Sequence, residues 1–301
     1  MKNQKKGWLV VNRTLRKKFE EHVEAFKKSF EAEGIALEDV DNDELIYEIS
    51  GGHRYVFEEE ARPDFALFWD KDIRLAYNLE CEIPVFNAAR CIEICDDKAL
   101  MHHYAALAGV DTPKTIFSPK YYKEGDIPPR AFIDLVTDRL KMPLIIKEAC
   151  GSFGEGVYLA RDRVEIYEII KKISGKPYIF QEFIKESEGR DIRAYVCGGY
   201  VVGAALRENK CGDFRANVCN GSVMTPYELT KEQEAFALKA AAAVGALFAG
   251  VDILFGAAGP LLCEVNSNAH FINFLKATDI DFSRDIAQAV DQLTDGGKKG
   301  E

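Results

Sequence analysis

Between residues 251 and 266 the chain reads Val-Asp-Ile-Leu-Phe-Gly-Ala-Ala-Gly-Pro-Leu-Leu-Cys-Glu-Val-Asn, which sets three oxygen-bearing side chains, Asp252, Glu264 and Asn266, into an otherwise apolar stretch. Val251–Phe255 and Leu261–Val265 read as two strands, with Gly256, Gly259 and Pro260 supplying the turn. A hairpin centred on Ala258 puts Asp252 opposite Glu264, and Asn266, two residues on, shares the face of Glu264. Like charges facing each other across strands repel, and burial sharpens the repulsion. A cation between them resolves the conflict. Oxygen ligands suit a hard cation, above all Mg²⁺ carrying substrate phosphates. The alternative is a solvated acidic hairpin, against which stand Val251, Ile253, Cys263 and Val265 on one face and Leu254 and Leu262 on the other.

A second constellation lies at residues 144–156, Leu-Ile-Ile-Lys-Glu-Ala-Cys-Gly-Ser-Phe-Gly-Glu-Gly. A strand ends near Lys147, and Gly151, Gly154 and Gly156 follow it. Glycines let backbone N–H groups close over phosphate oxygens without a Cβ in the way, and the lysine adds a point charge. A plain Gly-rich turn is the alternative, and the spacing is neither a Walker nor a Rossmann pattern. Lys98 falls in the first turn of a helix, where a cation opposes the helix dipole. A nucleotide would give it a purpose; solvent exposure would make it harmless. Further charges alternate along Gln181-Glu182-Phe183-Ile184, Glu188–Arg193, Arg207 and Asp213-Phe214-Arg215-Ala216-Asn217. Each alone reads as a solvated strand face.

The elements that must carry these groups suggest an α/β chain. A strand at Trp8–Val11, a helix over Leu15–Glu33, strand-like pieces at Leu45–Ile49 and Tyr55–Phe57, and strands at Phe65–Trp69 and Pro84–Asn87 make a first unit. Asp96 and Asp97 cap a helix from Lys98 to Ala108, stopped by Gly109. A loop-rich stretch with six prolines between 113 and 177 holds strands at Thr115–Phe117, Leu144–Lys147, Val157–Leu159 and Tyr178–Phe183. Asp191–Val196 and Tyr200–Leu206 form a hairpin about Gly198-Gly199. Thr230 caps a helix running to about Leu247, which leads into the acidic hairpin; Thr294–Glu301 reads as a frayed end.

Composition bounds the partners. At 301 residues the length suggests about two domains. The apolar share of 47% can build a sizeable core, and a net charge of −10 argues against nucleic acid as a main partner. Eight cysteines with no Cys-x-x-Cys pair indicate neither zinc nor redox chemistry, and fit a reducing cytoplasm. The apolar run after Met1–Lys6 is too short for a signal peptide, and Ala240–Val251 is well below the roughly 20 residues of a membrane helix. A cytoplasmic protein without membrane partners is expected.

In order, these segments resemble the ATP-grasp ligases, specifically the RimK-type α-L-glutamate and amino-acid ligases, from about Asp96 to Asp281. The carrying motifs are Asp97-Lys98, Lys147 with Gly151–Gly156, Gln181–Glu186, Gly189–Arg193, Gly212–Asn217, Ala249–Ile253 and Glu264-Val265-Asn266. The resemblance implies an α/β (α+β) ATP-grasp fold preceded by an N-terminal α/β domain: residues 1–96, then 97–301 with a lid subdomain at about 112–182 and a C-terminal subdomain at about 183–293.

By the same resemblance, Lys98 and Lys147 contact ATP phosphates, and the loop with Gly151, Ser152, Gly154 and Gly156 folds over them. Glu182 and the backbone of Phe183 meet adenine, and Asp191 meets the ribose. Asp252, Glu264 and Asn266 hold two Mg²⁺, for which Mn²⁺ can substitute. Arg215 and Asn217 face the phosphates and the reacting centre, and Arg207 the transferred phosphoryl group. The implied reaction is ATP-dependent amide formation through an acyl phosphate, adding a glutamate-like amino acid to an amine or to a peptide or protein acceptor. A non-catalytic ATP-binding module and a dipeptide or cell-wall precursor ligase are the alternatives, and homo-oligomer formation is left open. Two segments depart from the family pattern: Ser267-Asn268-Ala269-His270, where a small Ala-Ser-Pro-Gly turn is usual, and Val218–Ser222. The first borders the acceptor site, where His270 is a candidate substrate ligand or base. Arg13, Arg54 and Arg74 are candidate carboxylate anchors in the N-terminal domain.

Overall fold

The computed structural model describes residues 4–51, 53–55, 62–123, 125–151, 156–216 and 222–296. The first unit contains β1 (Lys6–Val11), α1 (Arg16–Ala32), β2 (Ala36–Asp41), the short ribbon β3 (Glu48–Ser50) and β4 (His53–Tyr55), β5 (Phe65–Trp69), α2 (Ile73–Glu80), β6 (Val85–Phe86) and α3 (Ala89–Asp96). Its sheet is parallel, in the order β2-β1-β5-β6. Every residue of β5 is buried, because helices cover both faces. On one face α1 places Phe19, Val23, Phe26 and Phe30, at the three- and four-residue spacing of a helical stripe. On the other, Leu75, Ala76 and Leu79 of α2 and Ile92 of α3 meet Val10 and Phe68.

The third sheet strand, β2, differs from the strand-like piece expected at Leu45–Ile49. Glu38, Asp39 and Asp41 disguise β2, whose Leu37 and Val40 alone supply buried apolar side chains. The 45–57 region instead holds only the β3–β4 ribbon, and Phe57 lies outside the described residues.

After α4 (Lys98–Leu107) come β7 (Thr115–Phe117), α5 (Arg130–Leu140), β8 (Leu144–Glu148), β9 (Val157–Ala160), α6 (Arg163–Lys172) and β10 (Tyr178–Glu182). The strands form an antiparallel sheet in the order β7-β10-β8-β9, with a core of its own that includes Ile133, Val136, Ile146, Ile166 and Phe180. The prolines that suggested a loop-rich stretch punctuate rather than break it. Pro129 starts α5, Pro143 precedes β8 and Pro177 precedes β10.

The last unit holds β11 (Arg190–Cys197), β12 (Tyr200–Asn209), β13 (Ser222–Pro226), α7 (Lys231–Ala243), β14 (Phe248–Gly256), β15 (Gly259–Asn266), α8 (Ile272–Thr278) and α9 (Phe282–Gly296). Its antiparallel sheet runs β13-β12-β11-β14-β15. Thr230 and Gln233 close a capping box on α7, whose Phe236, Ala237 and Ala240 cover one face. The other face shares a continuous core with the N-terminal unit: Tyr195, Phe248, Phe271, Phe274 and Phe282 pack with Phe26, Phe30 and Trp69. Asn87, fully buried, stitches the two together. Its amide donates to the carbonyls of Phe248 (2.8 Å) and Ser267 (3.0 Å), and its oxygen accepts from the Leu247 N–H at 2.9 Å.

Among the described residues no helix is long and apolar enough to cross a membrane.

Candidate functional site

A cleft of about 260 Å³ opens where the sheet of β7–β10 faces the sheet of β11–β15, and the carboxyl ends of β1 and β5 close its far side. Most of the charged side chains singled out in the sequence meet here.

Asp252 does lie directly opposite Glu264, but not because the hairpin is regular. The turn is Ala257-Ala258 between the paired Gly256 and Gly259, and that register would put Asp252 opposite Cys263. A bulge at Cys263 shifts the pairing by one residue, so that Asp252 faces Glu264 and Gly250 faces Asn266. Cys263 and Glu264 accordingly both line the cleft. In the orientation that satisfies both its amide atoms, Asn266 donates to Glu264 Oε1 (2.9 Å) and accepts from Arg193 Nη2 (3.2 Å).

The positive charge expected beside Asp252 is supplied by arginines. Arg193 sits opposite Asp252 in the β11–β14 register and donates to both its oxygens at 2.7 Å. Arg207 reaches the same carboxylate at 2.9 Å and grips Asp191, its own partner in the β11–β12 register, at 2.7 and 2.6 Å. Burial on its own would raise the pKa of Asp252, which is 3% exposed. The two guanidiniums outweigh it and hold the group below the ordinary carboxylate value. The chain Asp191–Arg207–Asp252–Arg193 is thus a closed, paired network. Both oxygens of Asp191 accept from Arg207, so this carboxylate anchors an arginine in the cleft wall.

Asp252, Glu264 and Asn266 still fit a hard divalent ion. All three line the cleft, the Asp252 oxygens already accepting from Arg193 and Arg207 and the Asn266 oxygen from Arg193, so their second lone pairs and the Glu264 carboxylate are what an ion would meet. Two carboxylates are the number Mg²⁺ ordinarily takes from protein when phosphate oxygens and water complete its shell.

The lysines are built differently. Lys98 is the first residue of α4, whose N-terminus is capped by Asp97 through the N–H groups of Ala99 and Leu100. It is 6% exposed, and its ammonium donates to the Gly151 carbonyl at 3.0 Å. Lys147, on β8, is 7% exposed and approaches only Cys263 Sγ, at 3.9 Å. Among the described residues neither lysine has a carboxylate within ion-pair distance. Two buried ammoniums without a counter-ion among the described residues, both facing a cleft, suit an anion.

Between the sheets, Ile145, Val157 and Leu254 make an apolar slot along Gln181, Glu182, Phe183 and Ile184. Glu182 Oε1 accepts from the Lys114 N–H at 2.7 Å, which ties the end of β10 to the start of β7. Arg215 lines the cleft and is held by Asp213 at 3.0 and 2.8 Å. Gly151 lines it too, and Gly156 closes back onto β8 through the Glu148 N–H at 2.8 Å. Gly156 has a φ of +72°, and a Cβ there would lie 2.9 Å from Glu148, so only glycine fits. Ser152, Gly154 and Asn217 lie outside the described residues.

Two expectations change on the N-terminal side. Arg13 forms ion pairs with Asp41, Asp43 and Glu44 away from the cleft, and Arg74 does not line it; the Arg54 side chain lies outside the described residues. Instead Asp70 and Lys71, at the end of β5, reach the cleft, and Lys71 pairs with Asp96 at 2.7 Å. His270 lines the cleft, but burial drives its pKa to about 3, far from the neutral value a base needs. Its ring packs 5.0 Å from Phe19 and from His22.

Asp70 and Lys71 carry no signature of their own in the sequence, and Arg193 stands in the Gly189–Arg193 motif without an assigned role. The Arg193 position was detectable in principle, because it shares a strand face with Asp191, two residues away.

The chain is 30% identical over 236 residues to mouse β-citrylglutamate synthase B, covering 76% of this chain and 58% of that protein, so it spans little more than half of that relative. It is 34% identical over 214 residues to a probable α-L-glutamate ligase of Maridesulfovibrio salexigens, covering 70% and 68%. Among solved structures, a RimK domain ATP-grasp protein from Sphaerobacter thermophilus superposes with a TM-score of 0.71 at 19% identity, covering 94% of this chain and 98% of that one. A D-cycloserine synthetase gives 0.74 at 16% identity over 96% and 99%. The family model for the RimK-like ATP-grasp domain matches residues 95–290, and the chain therefore belongs to the RimK-like ATP-grasp family.

Proposed function

We propose that the protein is an ATP- and Mg²⁺-dependent ligase that joins a carboxylate to an amine through an acyl phosphate. The observation that carries this reading is the pair of buried lysines without carboxylate partners, set across an apolar slot from Asp252, Glu264 and Asn266. In it, adenine lies along Glu182 and the Phe183 backbone, while Lys98, Lys147 and the 151–156 loop, with Ser152 and Gly154, hold the phosphates. Asp252, Glu264 and Asn266 hold Mg²⁺, which when bound neutralises phosphate charge and polarises the γ-phosphoryl group.

A substrate carboxylate oxygen attacks the γ-phosphorus and ADP leaves. The amine nitrogen then attacks the acyl carbon, phosphate departs, and the nitrogen loses its proton. Positioning and charge neutralisation supply the rate, so Arg207, Arg215 and Asn217 matter where a protein nucleophile would in other enzymes. The relatives named above carry glutamate in their names, which supports a glutamate-like amino acid as one of the two substrates.

The test is ADP release over a matrix of carboxylates and amines with glutamate in both roles. Turnover should require both partners and a divalent ion, and Glu264→Ala should lower it by about 10²–10³. Full-rate turnover after removal of divalent metal would falsify the proposal; tight ATP binding with no turnover across the matrix would favour a binding module.

A further inference from the structure

In the N-terminal sheet the chain passes from β1 outward to β2 on one side and later to β5 on the other. The carboxyl ends of β1 and β5 therefore flank a switch point, the place where open parallel sheets leave a crevice for a ligand. Asn12 follows β1 and Asp70 follows β5; the Asn12 amide donates to both Asp70 oxygens at 3.4 and 3.3 Å, long and weak bonds. Asp70 is buried and lines the cleft, and its carboxylate also accepts from the backbone N–H groups of Lys71 and Asp72.

Across the crevice stands the Ser267–His270 turn that departs from the family pattern. The Asn268 amide nitrogen donates to the Asp70 carbonyl at 2.8 Å, which fixes the side chain's orientation and leaves Oδ1 as a pure acceptor. That oxygen and Ser267 Oγ are buried and have no partner among the described residues, although both residues line the cleft. Unpaired buried acceptors are unfavourable, and a donor is the missing component. Phe19, Trp69 and His270 form the apolar wall beside them. Trp69 Nε1–H is also without a partner, which suits a ligand with an oxygen next to its nitrogen.

We propose that Asp70, Asn268 and Ser267 form the subsite for the attacking amine, which enters as a primary ammonium with an adjacent carbonyl or carboxyl oxygen, as in an amino acid or amino amide. The ammonium donates to the Asp70 carboxylate and to Asn268 Oδ1, against aromatic faces that favour a cation, and gives one proton to Asp70 before its nitrogen attacks the acyl carbon. This inference rests on the ligase reading for its role, but not for its chemistry.

Two measurements separate the subsite from the ligase reading. In the first, wild type, Asp70→Asn and Asn268→Ala are assayed with ATP and a panel of carboxylates, using as second substrate either amino acids and amino amides or hydroxylamine, an uncharged nucleophile that traps acyl phosphates as hydroxamates. The KM for the amine should rise about tenfold or more in each variant, and by a larger factor than any change in the hydroxylamine reaction. Equal losses with both nucleophiles, or an amine KM within about twofold of wild type in both variants, overturns the subsite.

If wild type forms no hydroxamate with any carboxylate, the ligase reading fails, and the second measurement still decides. Trp69 fluorescence is followed on addition of alaninamide or of lactamide, which differ in bearing ammonium or hydroxyl. Saturable quenching by alaninamide, at least about tenfold weaker for lactamide and for Asp70→Asn, supports the subsite; equal responses to the two compounds, or none to alaninamide, overturn it.

Discussion

Two sets of buried charges face each other across the cleft, and they are balanced in opposite ways. On β11, β12 and β14 the buried charges are paired within the sheet: Asp191 with Arg207, Asp252 with Arg207 and Arg193. On β8 and at the start of α4, Lys147 and Lys98 are as deeply buried but among the described residues meet only a thiol and a carbonyl. A paired network holds its shape with or without a ligand. An unpaired cation is held at some expense of stability and recovers it only when an anion arrives. The paired side is thus scaffold as much as site, and the lysines are site alone.

Asp252→Ala is the strongest way to break that contrast. It strands two guanidiniums in the sheet and should destabilise the protein without nucleotide by about 3–5 kcal/mol, read by denaturant unfolding. Lys147→Met and Lys98→Met should do the reverse. Turnover should fall by about 10²–10³, roughly 2.7–4 kcal/mol, while stability without nucleotide is unchanged or higher. A Lys147→Met variant as destabilised as Asp252→Ala would show that the lysine is structural and end the distinction.

A titration sharpens the comparison further. Burial pushes His22 to a pKa of about 4, and His102 and His270 to about 3, all below the usual value of 6.5. Folding keeps these rings neutral, so the unfolded chain binds more protons below pH 6.5. The stability they contribute is complete above that pH and is lost as pH falls toward 4 and 3, by about 1.4 kcal/mol per pH unit for each ring. His22→Leu should flatten the decline between pH 6.5 and 4 by about one such increment, measured as the change in unfolding free energy with pH; an unchanged slope would mean that His22 is not held neutral. Asp252, held down by its arginines, contributes stability that persists to lower pH and is lost only as its own depressed pKa is crossed.

The smallest effect concerns the hairpin tip. Two glycines inserted between Ala257 and Ala258 double the turn and should change stability by about 0.6 kcal/mol with turnover unaltered, because the bulge at Cys263, not the turn, sets the pairing of Asp252 with Glu264. Deleting Cys263 should abolish turnover. Equal sensitivity to the two changes would locate the register in the turn after all.

Much of this was legible in the chain. Phe65–Trp69 and Thr115–Phe117 are strands with the bounds their apolar runs suggest, and Asp97 and Thr230 cap the helices that their side chains announce. The lysines and the acidic hairpin stood out because charge in an apolar run demands a reason. Less legible was β2, where acids interrupt the pattern, and α2, α3, α5 and α6, whose short amphipathic stretches lie among prolines and turns. The arginine partners of Asp252 depend on which strands become neighbours, a long-range outcome that periodicity along one strand does not encode. The same is true of Asp70 and Asn268, 198 positions apart in the chain. The bulge illustrates the point from the other side: Asp252 does face Glu264, but through a one-residue slip that counting from the turn does not reveal.

Asn87 bears on how the cleft admits its contents. Its bonds to Leu247, Phe248 and Ser267, with the aromatic core shared by α1, β5, α8 and α9, fuse the N-terminal sheet and the β11–β15 sheet into one body. The β7–β10 sheet has a separate core and is tied to α4 by the Gln181 and His102 side chains at 3.1 Å and by the Lys98 N–H on the Ala149 carbonyl at 2.8 Å. The crevice between Asp70 and Asn268 therefore lies within one body, whereas the slot between the sheets is walled by two separate cores, so under the proposed reaction the crevice is the fixed gauge for what is joined.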